Sequence, residues 1–410
     1  MSRLFLPFLI LLFTSQNLGA QVSQLDTVAE LSYELKEISA LISCSQGGYW
    51  AINDSGNDAE LFLLDDKGGI RKKVRILNAS NVDWEELARD GYGNIYIGDF
   101  GNNRNDRQDL RIYIVREGEM LANTEVAAKA ISFRYPNQHA FPPPASGQFF
   151  DMEAMVWYMD DLWLFNKNRS QPFTGYTTVY KLPATPGDYV AEMVDSLYLG
   201  EGPRELMQIT GADISPDGNM LALLGYDKFY LIHDFPFNDL IGGRIEQITM
   251  PQLSQRESIT FADDSTLIVA DERSVLGGGF LYSLNISSNR KQNALERKAE
   301  VSVPNKEFAD TLLIELETEV RGKVYWEFLD GEGNRVSYGV VGYFDRGEHL
   351  LALYPKPFPN GTYLLNIQVG KRPHAFFVYR FTGVDWTKVE KDFQERAEEI
   401  QKRQTKVPNK

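Results

Sequence analysis

Apolar and polar residues alternate with a period of two along residues 84–133, the signal of half-buried strands. Four runs stand out there, Trp84–Arg89, Asn94–Asp99, 110–115 and 128–133, separated by turn residues such as Asp90-Gly91-Tyr92-Gly93. Helical spacing is absent from this stretch. The same order of runs begins again at Ile38, Met152, Ala212 and Glu257, and Ser215-Pro216-Asp217-Gly218-Asn219 is a strong turn between two apolar strands. Units recurring every roughly 45 to 70 residues have the length of a four-stranded propeller blade plus its loops.

The clearest copies pair a strand with an acidic start and a second strand ending in Asp or Asn. They are Asp83-Trp84-Glu85-Glu86-Leu87 with Ile95-Tyr96-Ile97-Gly98-Asp99, Asp151-Met152-Glu153-Ala154-Met155 with Leu162-Trp163-Leu164-Phe165-Asn166, and Arg256-Glu257-Ser258-Ile259 with Leu267-Ile268-Val269-Ala270-Asp271. The last unit stops after its third strand, at 280–286, and 27–35 has no other partner. That segment is therefore expected to supply the outermost strand and close the ring, leaving no open edge. The expected fold is all-β: a β-propeller of five blades, or six if the long third or fourth unit contains two, followed by a small β-sandwich and a C-terminal helix.

The sandwich follows from a change of pattern near Val301. Strands are expected at 312–316, 323–329, 335–341, 349–353, Gly361–Val369 and 375–379, with Asp330-Gly331-Glu332-Gly333 as a hairpin turn. Beyond them Trp386, Val389, Phe393, Ala397 and Ile400 form one apolar stripe on a charged helix. At the other end Arg3, the apolar stretch from Leu4 to Phe13 and the small Ala20 read as a secretory signal, too short to span a bilayer. The domain expectation is thus a signal peptide at 1–20, a propeller at 21–298, a sandwich at 299–382 and a helical tail at 383–410. It places the protein outside the cytoplasm: secreted, periplasmic or at the cell surface, with no transmembrane segment.

Composition narrows the chemistry. A chain of 410 residues with 43% hydrophobic and 12% aromatic residues can build more than one core. A net charge of −15 argues against nucleic acid as a partner. The single cysteine, Cys44, excludes an internal disulfide framework and a Cys-rich zinc site. There is no Gly-x-Ser-x-Gly elbow, no dinucleotide fingerprint and hence no expected nucleotide cofactor; the 4 histidines are scattered.

The motifs Asn53-Asp54-Ser55-Gly56-Asn57, Asp83-Trp84-Glu85, Tyr96-Ile97-Gly98-Asp99-Phe100-Gly101-Asn102-Asn103 and Thr210-Gly211-Ala212-Asp213-Ile214-Ser215 resemble those of secreted bacterial β-propellers. More distantly, residues 27–290 are similar to SdiA-regulated and esterase-like-phytase propellers. Residues 303–380, through Pro304-Asn305, Gly322-Lys323-Val324, Asp330-Gly331 and Gly361-Thr362-Tyr363-Leu364-Leu365-Asn366-Ile367, resemble the C-terminal sorting domain of the type IX secretion system of Bacteroidetes. That resemblance implies secretion machinery as a partner; the long tail after the last strand departs from its pattern.

Counting back from the turn after each innermost strand aligns Ser39, Glu85, Glu153, Gly211 and Glu257, with one-residue slips in the third and fourth units. Innermost strands line a propeller's channel, so these glutamates should face one another. The second strands are expected to contribute Asp54, Asp99, Asn166 and Asp271 at the same mouth. Uncompensated carboxylates at such density are costly, and a bound cation, a protonated carboxyl or arginine partners would relieve them. Oxygen ligands favour Ca²⁺ or Mg²⁺, with Glu85, Glu153, Glu257 and Asp271 as candidate metal ligands. Arg104, Arg107, Arg169, Arg256 and Arg273 offer the metal-free alternative, and no Asp-x-Asp-x-Asp-Gly calcium loop is present. Asp54, Asp83, Asp99, Asn102, Arg104, Asn166 and Arg273 are candidates for contacting a ligand. Two functions are compatible with this pattern: non-catalytic binding of a small molecule, glycan or peptide at the acidic mouth, or divalent-cation-dependent hydrolysis of a phosphoester, lactone or similar ester.

Overall fold

The computed structural model describes residues 21–22, 25–233, 235, 239–274, 277–287, 299–318, 322–331, 334–344, 347–369 and 372–381. The expected signal peptide and C-terminal helix lie outside them. Five sheets of four or five strands precede a pair of sheets of three and five strands. The innermost strands are Ile38–Ser43, Trp84–Arg89, Met152–Tyr158, Gly211–Ile214 and Arg256–Asp263, and each packs against the next in turn, the last against the first. The fold of this part is a β-propeller.

The cores explain why the sheets stand face to face. Each sheet is apolar on both faces, so its strands read as nearly continuous buried runs: Tyr49–Asn53, Met220–Leu224 and Lys228–His233 are buried throughout. Trp50 and Trp84 lie fully buried between the first two sheets, Tyr96 and Met155 between the second and third, and Phe165 and Leu223 between the third and fourth. Phe229 and Phe261 join the fourth to the fifth, and Leu35 and Leu281 join the fifth to the first.

The ring is closed by the start of the chain. Asp26–Glu30 runs antiparallel to Phe280–Asn285, with Asp26 opposite Ser283, and becomes the outer strand of the fifth sheet. Arg273 fastens this seam, donating to Glu30 Oε1 at 2.9 Å and to the Leu31 carbonyl at 3.2 Å. Other outer edges are capped by borrowed segments running parallel to them: Glu125–Val126 on the first sheet, Gly187–Val190 on the second and Gln21–Val22 on the fourth. One short helix, Glu117–Ala122, appears where period-two patterning alone gives no warning of it.

The two C-terminal sheets enclose one core, with Phe308, Ile314, Val324, Phe328, Leu365 and Val378 among its buried residues. Their six main strands run Leu312–Thr318, Gly322–Leu329, Arg335–Phe344, Gly347–Leu353, Gly361–Val369 and Arg372–Arg380. Aromatic rings join this sandwich to the propeller: Tyr325 lies 6.3 Å from Tyr92 and 6.4 Å from Trp157 between ring centroids. No helix among the described residues is long and apolar enough to cross a membrane.

Removing residues 21–31 would strip the outer strand from the fifth sheet and bare the edge of Phe280–Asn285. We expect the thermal midpoint to fall by about 5 °C or more and concentration-dependent association to appear in light scattering. An unchanged midpoint would show that the seam contributes nothing.

Candidate functional site

In four of the five sheets the innermost strand enters through a β-bulge at an equivalent position. Ile38, Trp84, Met152 and Arg256 pair with Asn53, Asp99, Asn166 and Asp271, and the following residue is the extra one: Ser39, Glu85, Glu153 and Glu257. A bulge re-aims its extra side chain, and here the glutamates converge at one end of the channel. The fourth sheet lacks the bulge; Gly211 pairs regularly with Leu224.

The Asp and Asn residues that end the second strands brace the loops. Asp271 accepts from the Phe280 amide at 2.8 Å, the Tyr282 hydroxyl at 3.0 Å and the Ser254 hydroxyl at 2.5 Å. Asn166 accepts from Thr177 Oγ1 at 3.2 Å and from the Thr178 amide. Asp99 accepts from the Asp83 amide at 3.1 Å and pairs with Arg107 at 3.0 Å. Asn102 organises the polar loop, taking the Asp106 and Arg107 amides at 2.8 and 3.0 Å while its own amide nitrogens reach Asp151 and the Phe150 carbonyl. Arg104 is exposed in that loop, and Arg273 belongs to the closing seam.

After three of the four braces comes a charged residue of the mouth, one place beyond the expected register; after Asp99 the equivalent residue is Phe100, which packs in the core. In the first sheet the residue paired at the bulge is Asn53, and Asp54 follows it; the equivalents of Asp54 are Lys167 and Glu272. Lys167 is the central cation. Its ammonium lies 2.9 Å from Glu153 Oε2 and 3.6 Å from Glu257 Oε1, and Tyr226 donates to Glu257 Oε1 at 3.0 Å. Burial works against the ammonium, but Glu153 and Glu257 outweigh it and raise its pKa well above the usual lysine value. Arg169 pairs with Asp151 at 2.5 Å and with Glu153 at 3.3 Å. Lys167, Tyr226 and Glu272 had no sequence signal other than the Asn166-Lys167 and Asp271-Glu272 steps at strand ends.

On the other side of the mouth, Asp54, Asp83 and Glu85 bring carboxylate oxygens within 4.8 Å of one another. Of the four expected metal ligands only Glu85 belongs to this trio. Gly101 makes the approach possible: a Cβ there would collide with Glu85 Oε1 and Asp83 Oδ2. Burial, then the Glu153, Asp54 and Asp83 charges, push the Glu85 carboxyl well above its ordinary pKa. Burial likewise moves Asp54 up to about 7 and Glu272 up to about 9, the latter helped by Glu257 and Asp54. Burial and Asp151 raise Asp83. Such a group can take up protons or a cation, and its Lys and Tyr donors can hold an electron-rich ligand.

No family model matches the chain, and no curated protein sequence matches it. Solved β-propeller structures do resemble it. A protein named as a gluconolactonase superposes with a TM-score of 0.37 at 10% identity, over 62% of this chain and 76% of that one. PorZ, a surface component of the type IX secretion system of Porphyromonas gingivalis, gives 0.30 at 10% identity over 84% of this chain and 45% of its own length. The PQQ-bound aldose sugar dehydrogenase of Streptomyces coelicolor gives 0.37 at 10% identity, over 64% and 98%.

The raised carboxyls set a sign for pH dependence. A group with a higher pKa in the folded state than in the unfolded chain stabilises the fold at low pH and loses that contribution as pH rises. For Asp54 the window runs from 3.8 to about 7, and for Glu272 from 4.5 to about 9. In chelator the thermal midpoint should therefore fall between pH 5 and pH 9 (about those limits), and Glu272→Gln should flatten the alkaline part of the slope. A midpoint that rises over this range in calorimetry would contradict the assignment.

Proposed function

We propose that the propeller binds a divalent cation at Asp54, Asp83 and Glu85 and, beside it, a small oxygen-rich molecule, glycan or peptide. One observation carries the reading: three carboxylates converge within 4.8 Å, and none has a Lys or Arg ion-pair partner among the described residues. Mutual repulsion in a half-buried site must be relieved, and a cation does so while gaining hard oxygen ligands. All-oxygen chemistry points to Ca²⁺ or Mg²⁺. Lys167 and Arg169 form their close ion pairs with Glu153, Glu257 and Asp151 rather than with the trio. Binding at this mouth needs no further chemistry. In the same reading the C-terminal sandwich serves attachment or export, as its sorting-domain-like motifs suggest, and the protein acts outside the cytoplasm.

Hydrolysis of an ester or lactone is the second reading. It is favoured by the Lys167 ammonium, which stands beside the carboxylates where it would meet developing negative charge. A cation in the trio would supply Lewis acidity and a more acidic water. Lys167 would then face the substrate oxygen, with Tyr226 keeping Glu257 and Arg169 keeping Glu153 in place.

Titration of chelator-stripped protein with Ca²⁺, and separately Mg²⁺, tests both readings. The expected result is saturable heat with a rise in the thermal midpoint. Asp83→Asn should weaken binding by about tenfold or more, close to 1.4 kcal/mol, and Gly101→Ala should do the same by forcing the carboxylates apart. Absence of heat and of any midpoint shift would remove the cation and the hydrolase together. If binding occurs, an ester and lactone panel on the loaded protein separates the two readings.

A further inference from the structure

The larger sheet of the sandwich gives one face to the core, through Val324, Phe328, Leu365 and Val378, and turns the other outward. Cross-strand pairing fixes which residues share the outward face. Glu327 lies opposite both Asn366 and Tyr338, and Leu329 opposite Leu364. The next strand continues the face, with Ala375 opposite Asn366, Phe377 opposite Leu364 and Tyr379 opposite Thr362. The propeller covers one part of it. There Tyr338 stands 4.8 Å from Tyr92 between ring centroids, and Arg335 Nη2 donates to the Tyr92 carbonyl at 3.3 Å.

The rest of the same face is bare. Phe377, Tyr379 and Phe381 are 63%, 45% and 56% exposed, a row of aromatic rings on alternate residues of Arg372–Arg380 and just past its end. Leu364, beside Phe377, is half-buried. The backbone under the row is firmly paired: the Tyr379 amide donates to the Lys306 carbonyl and the Phe381 amide to the Phe308 carbonyl, each at 2.7 Å. Single exposed apolar side chains are ordinary, but a contiguous apolar row marks a docking surface.

Phe381, the end of this row, is the last described residue, and the chain continues through residues 382–410. Thr382-Gly383-Val384-Asp385 has the length of a connection that reverses the chain. The apolar stripe Trp386, Val389, Phe393, Ala397 and Ile400 comes next. On a helix that stripe is about 21 Å long, and the row from Ala375 to Phe381 is about 20 Å long on a strand. Stripe and row therefore agree in length and apolar character, and they are neighbours along the chain.

We propose that residues 385–404 form a helix that folds back antiparallel along Arg372–Arg380 and lays its stripe over Phe377, Tyr379 and Phe381. The short connection keeps the stripe at high effective concentration beside the row, an advantage that a second copy of the chain lacks. The tail that departs from the sorting-domain pattern is then a layer of the sandwich, covering the part of the sheet that the propeller leaves open. This inference is independent of the cation site.

Fluorescence of the full chain tests it, with the Trp386→Phe spectrum subtracted to isolate the Trp386 indole, alongside timed trypsin cleavage at Lys388 and Lys391. Blue-shifted Trp386 emission and slow cleavage are expected. Phe377→Asp on the face and Phe393→Asp on the stripe should each red-shift that emission and speed cleavage by about tenfold or more, because cleavage follows the open population. Combined in one chain they should do no more than either alone, since both break the same contact. Should Phe377→Asp not fold, Tyr379→Asp takes its place. The proposal is overturned if Trp386 of the unaltered chain emits as a solvent-exposed indole, or if the face substitution changes neither emission nor cleavage. It is equally overturned if sedimentation shows a dimer that Phe377→Asp dissociates and Phe393→Asp does not, which would make a second copy the occupant.

Discussion

Everything at the channel mouth depends on one extra residue in each of four innermost strands. At Ser39, Glu85, Glu153 and Glu257 the ladder accommodates two residues opposite one, and the partner position carries Asn53, Asp99, Asn166 or Asp271. The bulge disrupts regular pairing, so something must hold the chain on either side of it. Asp99, Asn166 and Asp271 do this by accepting amide and hydroxyl protons, as Asp271 does from Ser254, Phe280 and Tyr282, and Asn53 by donating to the Glu34 carbonyl. Charge at the axis is thus a product of backbone irregularity, repeated with the symmetry of the ring. The fourth sheet, without the bulge, leaves a gap in the charge that Tyr226 helps fill by reaching Glu257.

Much of this architecture is legible in the chain. Period-two runs locate the strands to within a few residues; the expected 110–115 and 128–133 become Arg111–Arg116 and Lys129–Arg134, and the expected 335–341 and 375–379 lengthen to Arg335–Phe344 and Arg372–Arg380. The equivalence of Glu85, Glu153 and Glu257 is also visible, because each follows the first paired residue of a buried strand. What the pattern hides is a difference of one place. A carboxylate that ends a strand and one that follows it look alike in sequence, yet Asp99 and Asp271 accept backbone protons while Asp54 and Glu272 turn toward the axis. Lys167 was hidden for the same reason: an isolated lysine after a strand reads as a solvated charge, and only the ring brings Glu153 and Glu257 to it. The close approach of Gly101 to Asp83 and Glu85 is equally a tertiary fact.

The two ends of the channel hold their acids differently although the same strands build both. At the entry, bulges concentrate carboxylates, of which Glu153 and Glu257 are met by Lys167 and Arg169 while Asp54, Asp83 and Glu85 crowd one another. At the exit the acids find amides, as Asp213 does from Phe261 and Ile214. Burial still raises Asp213 to about 6, but its hydrogen bonds oppose the shift. Glu86 separates the two environments by spending its carboxylate on backbone amides across the channel. One scaffold can therefore present crowded carboxylates on one side and amide-bound acids on the other.

The antiparallel pairing of Asp26 with Ser283 has a consequence for how the molecule comes into being. A chain that emerges from its N-terminus releases this strand first but cannot dock it until the third strand of the last sheet has appeared. Every earlier sheet can form against its neighbour, yet the ring stays open along one side throughout synthesis. Contacts this distant in sequence are slow to form. The open intermediate therefore exposes an unpaired strand edge for a long interval.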